Sequence, residues 1–162
     1  MSASASAERV DRDLVAGWLH ARSLARRLPI PVADHGGWRV DTRSDQEWCR
    51  YVFADAIPAI ADLAQTITIP RIYIKLCHED NVLRDLLTNR WRICPASWLM
   101  TAGASRVTHQ PLLDGYIPQV EADGDAIRVG ITTADGMLAA SGYAAEAEGV
   151  FVYDRIVTRA SD

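Results

Sequence analysis

Four runs of alternating apolar and polar residues fill the last third of the chain and predict four β-strands. They cover residues 116–122, 126–133, 137–145 and 150–158. Asp123-Gly124-Asp125, Asp135-Gly136 and Glu148-Gly149 separate them, and Asp-Gly pairs favour tight hairpin turns. The pattern predicts an antiparallel β-meander over residues 115–162. One face of such a sheet needs a cover. The first half of the chain or another chain supplies it, or the strand edge stays open.

The first half alternates between helical and strand-like spacing. A helix of roughly 17 residues is expected from Asp11, with one apolar face, because apolar residues recur every three or four positions before Pro29. Strand-like runs at 37–42 and 47–53 predict a hairpin. The pattern next predicts a helix at 57–67, a strand at 72–77, a helix that begins at 78–81, and short strands at 91–94 and 98–100.

These elements predict the α+β class, with a mixed, mainly antiparallel sheet. The Ser/Ala-rich residues 1–9 are expected to form a disordered tail. Residues 10–103 form an N-terminal α+β region, and the Gly-, Ser- and Thr-rich residues 104–114 form a linker. The N-terminal region and the meander are expected to pack as one unit, since 162 residues suffice for one ordinary domain.

The amino-acid composition narrows the range of binding partners and cellular locations to be expected. The net charge of −4 argues against a general nucleic-acid binder, which needs clustered and uncompensated Lys and Arg. Nothing in the sequence fits a signal peptide or an 18-residue apolar span, so a cytoplasmic protein with no membrane partner is expected. Cys49, Cys77 and Cys94 lack metal or redox spacing and are expected to be reduced and buried.

Several clusters allow a functional and a structural interpretation. Cys77-His78-Glu79-Asp80 could ligate a metal, but consecutive side chains diverge, so capping of the next helix is favoured and no metal site is predicted. A nucleophilic cysteine paired with a histidine is not favoured, because no local sequence signature marks one.

The positions of the tryptophans favour core packing over a platform for ring stacking. The helix arginines could grip a phosphate or an acidic partner, but a solvated outer face is favoured. Those arginines are Arg12, Arg22, Arg26 and Arg27.

Asp154 is the strongest candidate for a catalytic group. It lies in the middle of the apolar run 150–158, where an unpartnered charge is costly. A carboxylate there could act as a general base. Alternatively, it pairs with Arg155 or the cross-strand Arg128, or it is simply exposed.

Residues 150–158, VFVYDRIVT, together with the preceding GMLAASGYAAEAEG, resemble the central hairpin of the GNAT family of acetyl-CoA-dependent N-acetyltransferases. The match is specific over about 25 residues and looser from Gly115 onward. In that family the strand leads into a Gly-rich loop that holds the cofactor pyrophosphate at a helix N-terminus. Here Arg159-Ala160-Ser161-Asp162 follows, so the resemblance covers the N-terminal part of such an enzyme without that loop.

The resemblance implies the roles of four residues. Ile156, Val157 and Thr158 would offer backbone groups to the pantetheine arm of acetyl-CoA, the co-substrate. Asp154 would be the base, and a peptide N–H near Val157 would polarise the thioester carbonyl. No covalent enzyme intermediate is required.

Two functions of different classes follow. The first is acetyl transfer to a small-molecule or peptide amine, with a truncated chain expected to be weak or inactive alone. The second is a non-catalytic GNAT-derived α+β module that binds a protein partner, or a second copy as a homodimer, through the open sheet.

Overall fold

The computed structural model describes residues 10–103 and 110–159. The predicted tail 1–9, residues 104–109 of the predicted linker, and the last three residues lie outside this described part. The described residues form three helices and two four-stranded sheets. The predicted α+β class is confirmed, and the strands form two mainly antiparallel sheets where a single mixed sheet was expected.

The first sheet, sheet A, is built by residues 32–76. Its strands are β1 (Val32–Asp34), β2 (Gly37–Val40), β3 (Cys49–Phe53) and β4 (Ile72–Leu76), in that spatial order. The β1–β2 and β2–β3 pairs are antiparallel, and β3–β4 is parallel. Because parallel strands need a crossover, α2 (Ala59–Thr66) connects β3 to β4. A third helix, α3, spans Asp80–Leu86.

The second sheet, sheet B, is the predicted meander. It comprises β5 (Tyr116–Asp123), β6 (Ala126–Thr133), β7 (Leu138–Ala147) and β8 (Val150–Thr158), with each strand antiparallel to the next. Glu148 and Gly149 both have positive φ, 51° and 74°, which is the conformation that a two-residue type I′ hairpin requires.

The first helix, α1 (Arg12–Ala25), lies between the two sheets. Asp11 caps it by accepting a hydrogen bond from the backbone N–H of Asp13 at 2.9 Å. Val15 and Leu19 pack with residues of β2 and β3 in one core cluster, and Ala25 packs with Ala126 and Ala145 of sheet B in another. Sequence patterning predicted one apolar face for this helix, and the structure buries two.

A separate core cluster lies on the other side of sheet A. Phe53 on β3 packs there with Ile60 and Leu63 of α2, all three almost fully buried. Side chains of α3 complete this cluster from the outside. The cluster fixes β4 beside β3, and β4 becomes one edge of sheet A.

Several predictions about the first half were wrong. Residues 91–94 and 98–100 form no strand. Trp18 and Trp38 pack against the core, but Trp48 and Trp98 are 51% and 92% exposed. Arg22 and Arg26 are half-buried rather than on a solvated face. Of the three free cysteines, Cys94 is exposed.

Candidate functional site at the bulge of β8

Strand β8 contains a β-bulge in the middle of the stretch that suggested a function. Asp154 pairs with Tyr143 and Val157 pairs with Ser141, so two residues of β8, Arg155 and Ile156, lie opposite the single residue Gly142 of β7. Arg155 has a φ of 53°, in the left-handed region that non-glycine residues rarely adopt. A bulge of this kind turns side chains out of the regular alternation.

Because of the bulge, consecutive side chains of β8 reach the same helix. The Asp154 carboxylate accepts two hydrogen bonds from Arg26 at the end of α1, one from Nε and one from Nη2 at 2.8 Å. Arg155 donates from Nη2 to the carbonyl of Ala25, and its guanidinium carbon lies 3.6 Å from the centroid of the Tyr143 ring. These contacts fasten the last turn of α1 to sheet B.

The ion pair determines the protonation of Asp154. Burial raises the pKa of this carboxyl, but the hydrogen bonds and charge of Arg26, with the charge of Arg22, outweigh burial and hold the pKa below its ordinary value. A general base works best when its pKa lies near the working pH. Asp154 would have to leave Arg26 before it could accept a proton, so its role as a base stays a prediction. Sequence reasoning named Arg155 or Arg128 as its partner, and the structure supplies Arg26.

The end of β8 beyond the bulge is exposed. The side chains of Ile156 and Val157 are 69% and 58% exposed. Strand β8 is an edge of sheet B, and within residues 10–103 and 110–159 no strand pairs with its outer side. This edge therefore offers backbone groups to a ligand or another strand.

The hydrogen bonds of β7 and β8 show which backbone groups face outward. The N–H of Arg159 donates to the carbonyl of Ala139 at 2.9 Å, and Thr158 is the partner of Ala140. Because hydrogen-bonded and non-hydrogen-bonded pairs alternate in antiparallel strands, the backbone groups of Thr158 point away from β7. The Val157 groups point towards β7. Within the predicted trio, Thr158 therefore carries available backbone groups, whereas Ile156 lies in the bulge itself, where the regular ladder is interrupted.

A cavity of about 300 Å³ lies on the helix-facing side of sheet B, beside the bulge. Arg27 pairs there with Asp123, and Nη1 of Arg128 lies 3.7 Å from Oε2 of Glu121. These four charged side chains, together with those of Tyr143 and Arg155, give the cavity a polar lining with both positive and negative groups. A small polar molecule would meet both carboxylates and guanidinium groups in it.

The other sequence candidates do not assemble into a site. In the part of the chain that the structure describes, no three His, Cys, Asp or Glu side chains come together as metal ligands. The predicted side-chain cap of α3 is absent, although Asp80 in its first turn complements the helix dipole. Burial raises the pKa of Cys49 to about 12, with Asp41 adding to the effect, and burial also raises the pKa of Cys77. Both thiols are therefore poor nucleophiles.

No helix among the described residues is both long and apolar enough to traverse a lipid bilayer. A comparison of the chain with protein-family models, with curated proteins and with solved structures finds no match.

Proposed function

We propose that the chain binds acetyl-CoA along the outer edge of β8 and acts as a GNAT-type N-acetyltransferase on a primary amine of a small molecule or peptide. The observation that supports this most is the exposed and unpaired end of β8 directly after its bulge. The pantetheine arm contains two amides, and these can pair with a strand edge as an added strand would. The resemblance of residues 150–158 to the cofactor-binding strand of the family agrees with this position.

The proposal assigns the residues as follows. Ile156 and Thr158 supply backbone groups to pantetheine, and Val157 between them keeps β8 attached to β7. Backbone N–H groups close to the bulge would stabilise the charge that develops on the thioester oxygen. Asp154 serves as the base if binding of the substrates separates it from Arg26. A cytoplasmic location, with neither nucleic acid nor membrane as partner, belongs to the same proposal.

Titration calorimetry with acetyl-CoA tests the edge directly. We expect Thr158→Pro to abolish binding with little change in melting temperature, because proline removes an outward N–H that no described residue uses. Thr158→Val is the matched control. It keeps the N–H, removes only the hydroxyl and should bind like the parent chain. A Val157→Pro chain should be destabilised, because its N–H faces β7.

The outcomes separate clearly. If the parent chain binds acetyl-CoA with micromolar affinity and only Thr158→Pro abolishes this binding, the result supports the β8 edge as the cofactor site. No heat of binding from a folded parent chain would overturn the proposal. Binding that all three variants retain would place the cofactor elsewhere and would equally contradict it.

A second candidate function, self-association as a non-catalytic module, has its own observation. The face of sheet B that points away from α1, its outer face, is almost entirely apolar. Its most exposed members are Tyr116, Val120, Ile127, Phe151, Tyr153 and Ile156, with exposed fractions of 41% to 69%. An apolar surface of this extent on a soluble chain marks an interaction site.

A second copy of the chain fits this face by area. The six exposed side chains offer roughly 600 Å² per chain, because a whole aromatic side chain has about 150–250 Å² and about half of each of the six is exposed. A pair would bury about 1,200 Å², the lower end of the range for specific interfaces. Two twisted sheets can pack face to face as in a β-sandwich.

Light scattering coupled to size exclusion tests this second function. We expect a dimer for the parent chain and a monomer for Val120→Lys, which places a charge on the outer face. Ile117→Lys is the control, because Ile117 is 52% exposed on the same strand but points to the opposite face. A monomeric parent chain at high concentration, or an equal effect of both variants, would rule the dimer out.

A further inference from the structure

Four cationic side chains lie close together where the C-terminal half of α1 packs on sheet A, near the contact between α1 and β8. We call Arg22, Arg26, Arg50 and Lys75 the basic cluster. The direction of α1 explains their meeting: Arg12, at its N-terminus, donates to the carbonyl of Gly36 at 2.8 Å. The C-terminal half of α1 therefore lies over the start of β3, where Arg50 is located.

Strand pairing brings Lys75 to the same place. Val52 packs in the core cluster of Val15 and Leu19, so its side chain faces α1. Lys75 on β4 is the registered partner of Val52, and paired residues share a face of a sheet. Arg50 lies two residues before Val52 and also shares that face.

Only two carboxylates balance these four cations. Glu47 pairs with Arg50, whose side chain is 8% exposed, and Asp154 pairs with Arg26. Among the described residues neither Arg22 nor Lys75 forms an ion pair with a carboxylate. The cluster therefore holds two cations without a carboxylate partner, the half-buried Arg22 and the exposed Lys75.

The unmatched charges raise the energy of the cluster. Burial lowers the pKa of Arg22 to about 10, with repulsion from Arg26 and Arg50 adding to the effect against the attraction of Asp154 and Glu47. Partial desolvation by neighbouring side chains, then repulsion from Arg50 and Arg22, also lowers the pKa of Lys75. Desolvated like charges disfavour each other's charged form. An anion between them would reverse both effects.

We propose that the basic cluster binds a phosphate-bearing ligand between α1 and β4. A phosphoryl group carries up to two negative charges and matches the two unmatched cations. Arginine and lysine are the side chains that most often bind it, arginine through paired N–H donors and lysine as a point charge. The overall charge of −4 repels anions from the rest of the surface, so binding at this position is a local property.

Calorimetry with inorganic pyrophosphate tests the proposal on the full chain. Lys75→Gln should weaken binding at least about tenfold, the effect of one lost charge-assisted contact of roughly 1.4 kcal/mol. The same variant should melt at a higher temperature than the parent when no ligand is present, since it removes repulsion. Arg84→Gln on α3 is the matched control, because it removes an exposed positive charge outside the cluster, and it should change neither property.

Two results would overturn the proposal. The first is no binding of pyrophosphate by the folded parent chain; a higher melting temperature of Lys75→Gln would then show charge repulsion without a binding site. The second is equal weakening of binding by Lys75→Gln and Arg84→Gln. The inference is independent of acetyl transfer, because pyrophosphate binding without acetyl-CoA binding would support it and end the transferase proposal.

Discussion

Asp154 and Arg155 show how one irregular residue changes what a strand can do. In a regular strand these neighbours would point to opposite faces. The bulge turns both towards α1, where Asp154 meets Arg26 and Arg155 meets the carbonyl of Ala25. A sequence pattern of period two cannot show such a change of phase. The position of Asp154 suggested a partnered carboxylate, but its partner lies 128 residues away in the chain.

Replacing Asp154 by Asn should destabilise the protein at neutral pH. The change leaves the half-buried Arg26 without its carboxylate, and we expect a loss of about 2 kcal/mol, as for hydrogen bonds to charged groups. The pKa of Asp154 is lowered on folding. Its contribution is therefore complete above about pH 4, the ordinary value for aspartate, and is lost progressively as pH falls from there through the lowered pKa of the folded state. Urea titrations at pH 7 and pH 3 measure both effects.

Asp85→Asn provides the control for this prediction, since Asp85 is exposed on α3. It should change the free energy of unfolding by less than about 0.5 kcal/mol at either pH. A difference between Asp154→Asn and the parent chain that persists unchanged at pH 3 would contradict the assigned ion pair.

At the scale of elements, the two faces of α1 differ in kind. Val15 and Leu19 face sheet A, whereas small residues recur at every fourth position on the other buried face, at Gly17, Ala21 and Ala25. Because these residues are small, the helix backbone approaches β7 and β8 closely. A β-carbon at Gly17 would lie 2.5 Å from Cγ2 of Val150 and 3.2 Å from the carbonyl oxygen of Ala147.

Gly17→Ala should therefore destabilise the protein by about 1–3 kcal/mol, as overpacking does. The loss should appear although alanine favours helices over glycine by about 1 kcal/mol. In the double variant with Val150→Ala the new methyl group gains room, so the two effects should be less than additive. Chemical denaturation of the four chains gives the coupling energy. A more stable Gly17→Ala chain would show that α1 and β8 are not in close contact.

Strands bounded by turn residues were predictable, and isolated apolar segments were not. The four strands of sheet B lie within two residues of their predicted bounds, because Asp-Gly and Glu-Gly turns separate clean alternations. The three-residue β1 was missed, since it is too short to show a period. Residues 91–100 contain apolar side chains suited to a strand, but strands need a partner, and none lies beside them among the described residues.

At the scale of the whole molecule, α1 joins two sheets that are distant in sequence. Residues 12–25 pack on sheet A from residues 32–76 and on sheet B from residues 116–158. Both sheets therefore depend on the same helix. The sequence predicted that one half would cover the other as one of three alternatives, but it could not show that a single helix serves both.

Leu19→Ala should weaken both sheets together. Leu19 is 1% exposed and faces sheet A, and truncating a buried leucine costs about 2–5 kcal/mol. Tryptophan fluorescence reports only the first half, because all five tryptophans lie between positions 18 and 98. Hydrogen exchange in peptides from β6 to β8 reports the second half. We expect both signals to shift to lower urea by the same amount. Full protection of β6–β8 after the first half unfolds would show independent units.

The position of α1 also matters during synthesis on the ribosome. Its first partner, sheet A, is complete once Leu76 has been made. Gly17 packs against Val150, however, and Val150 is made 133 residues after Gly17. At about 5–20 residues per second, the small-residue face of α1 stays uncovered for several seconds or longer. The nascent chain must therefore keep α1 half-buried until the β7–β8 hairpin is made, and in this interval a chaperone or a second nascent chain would contact the helix.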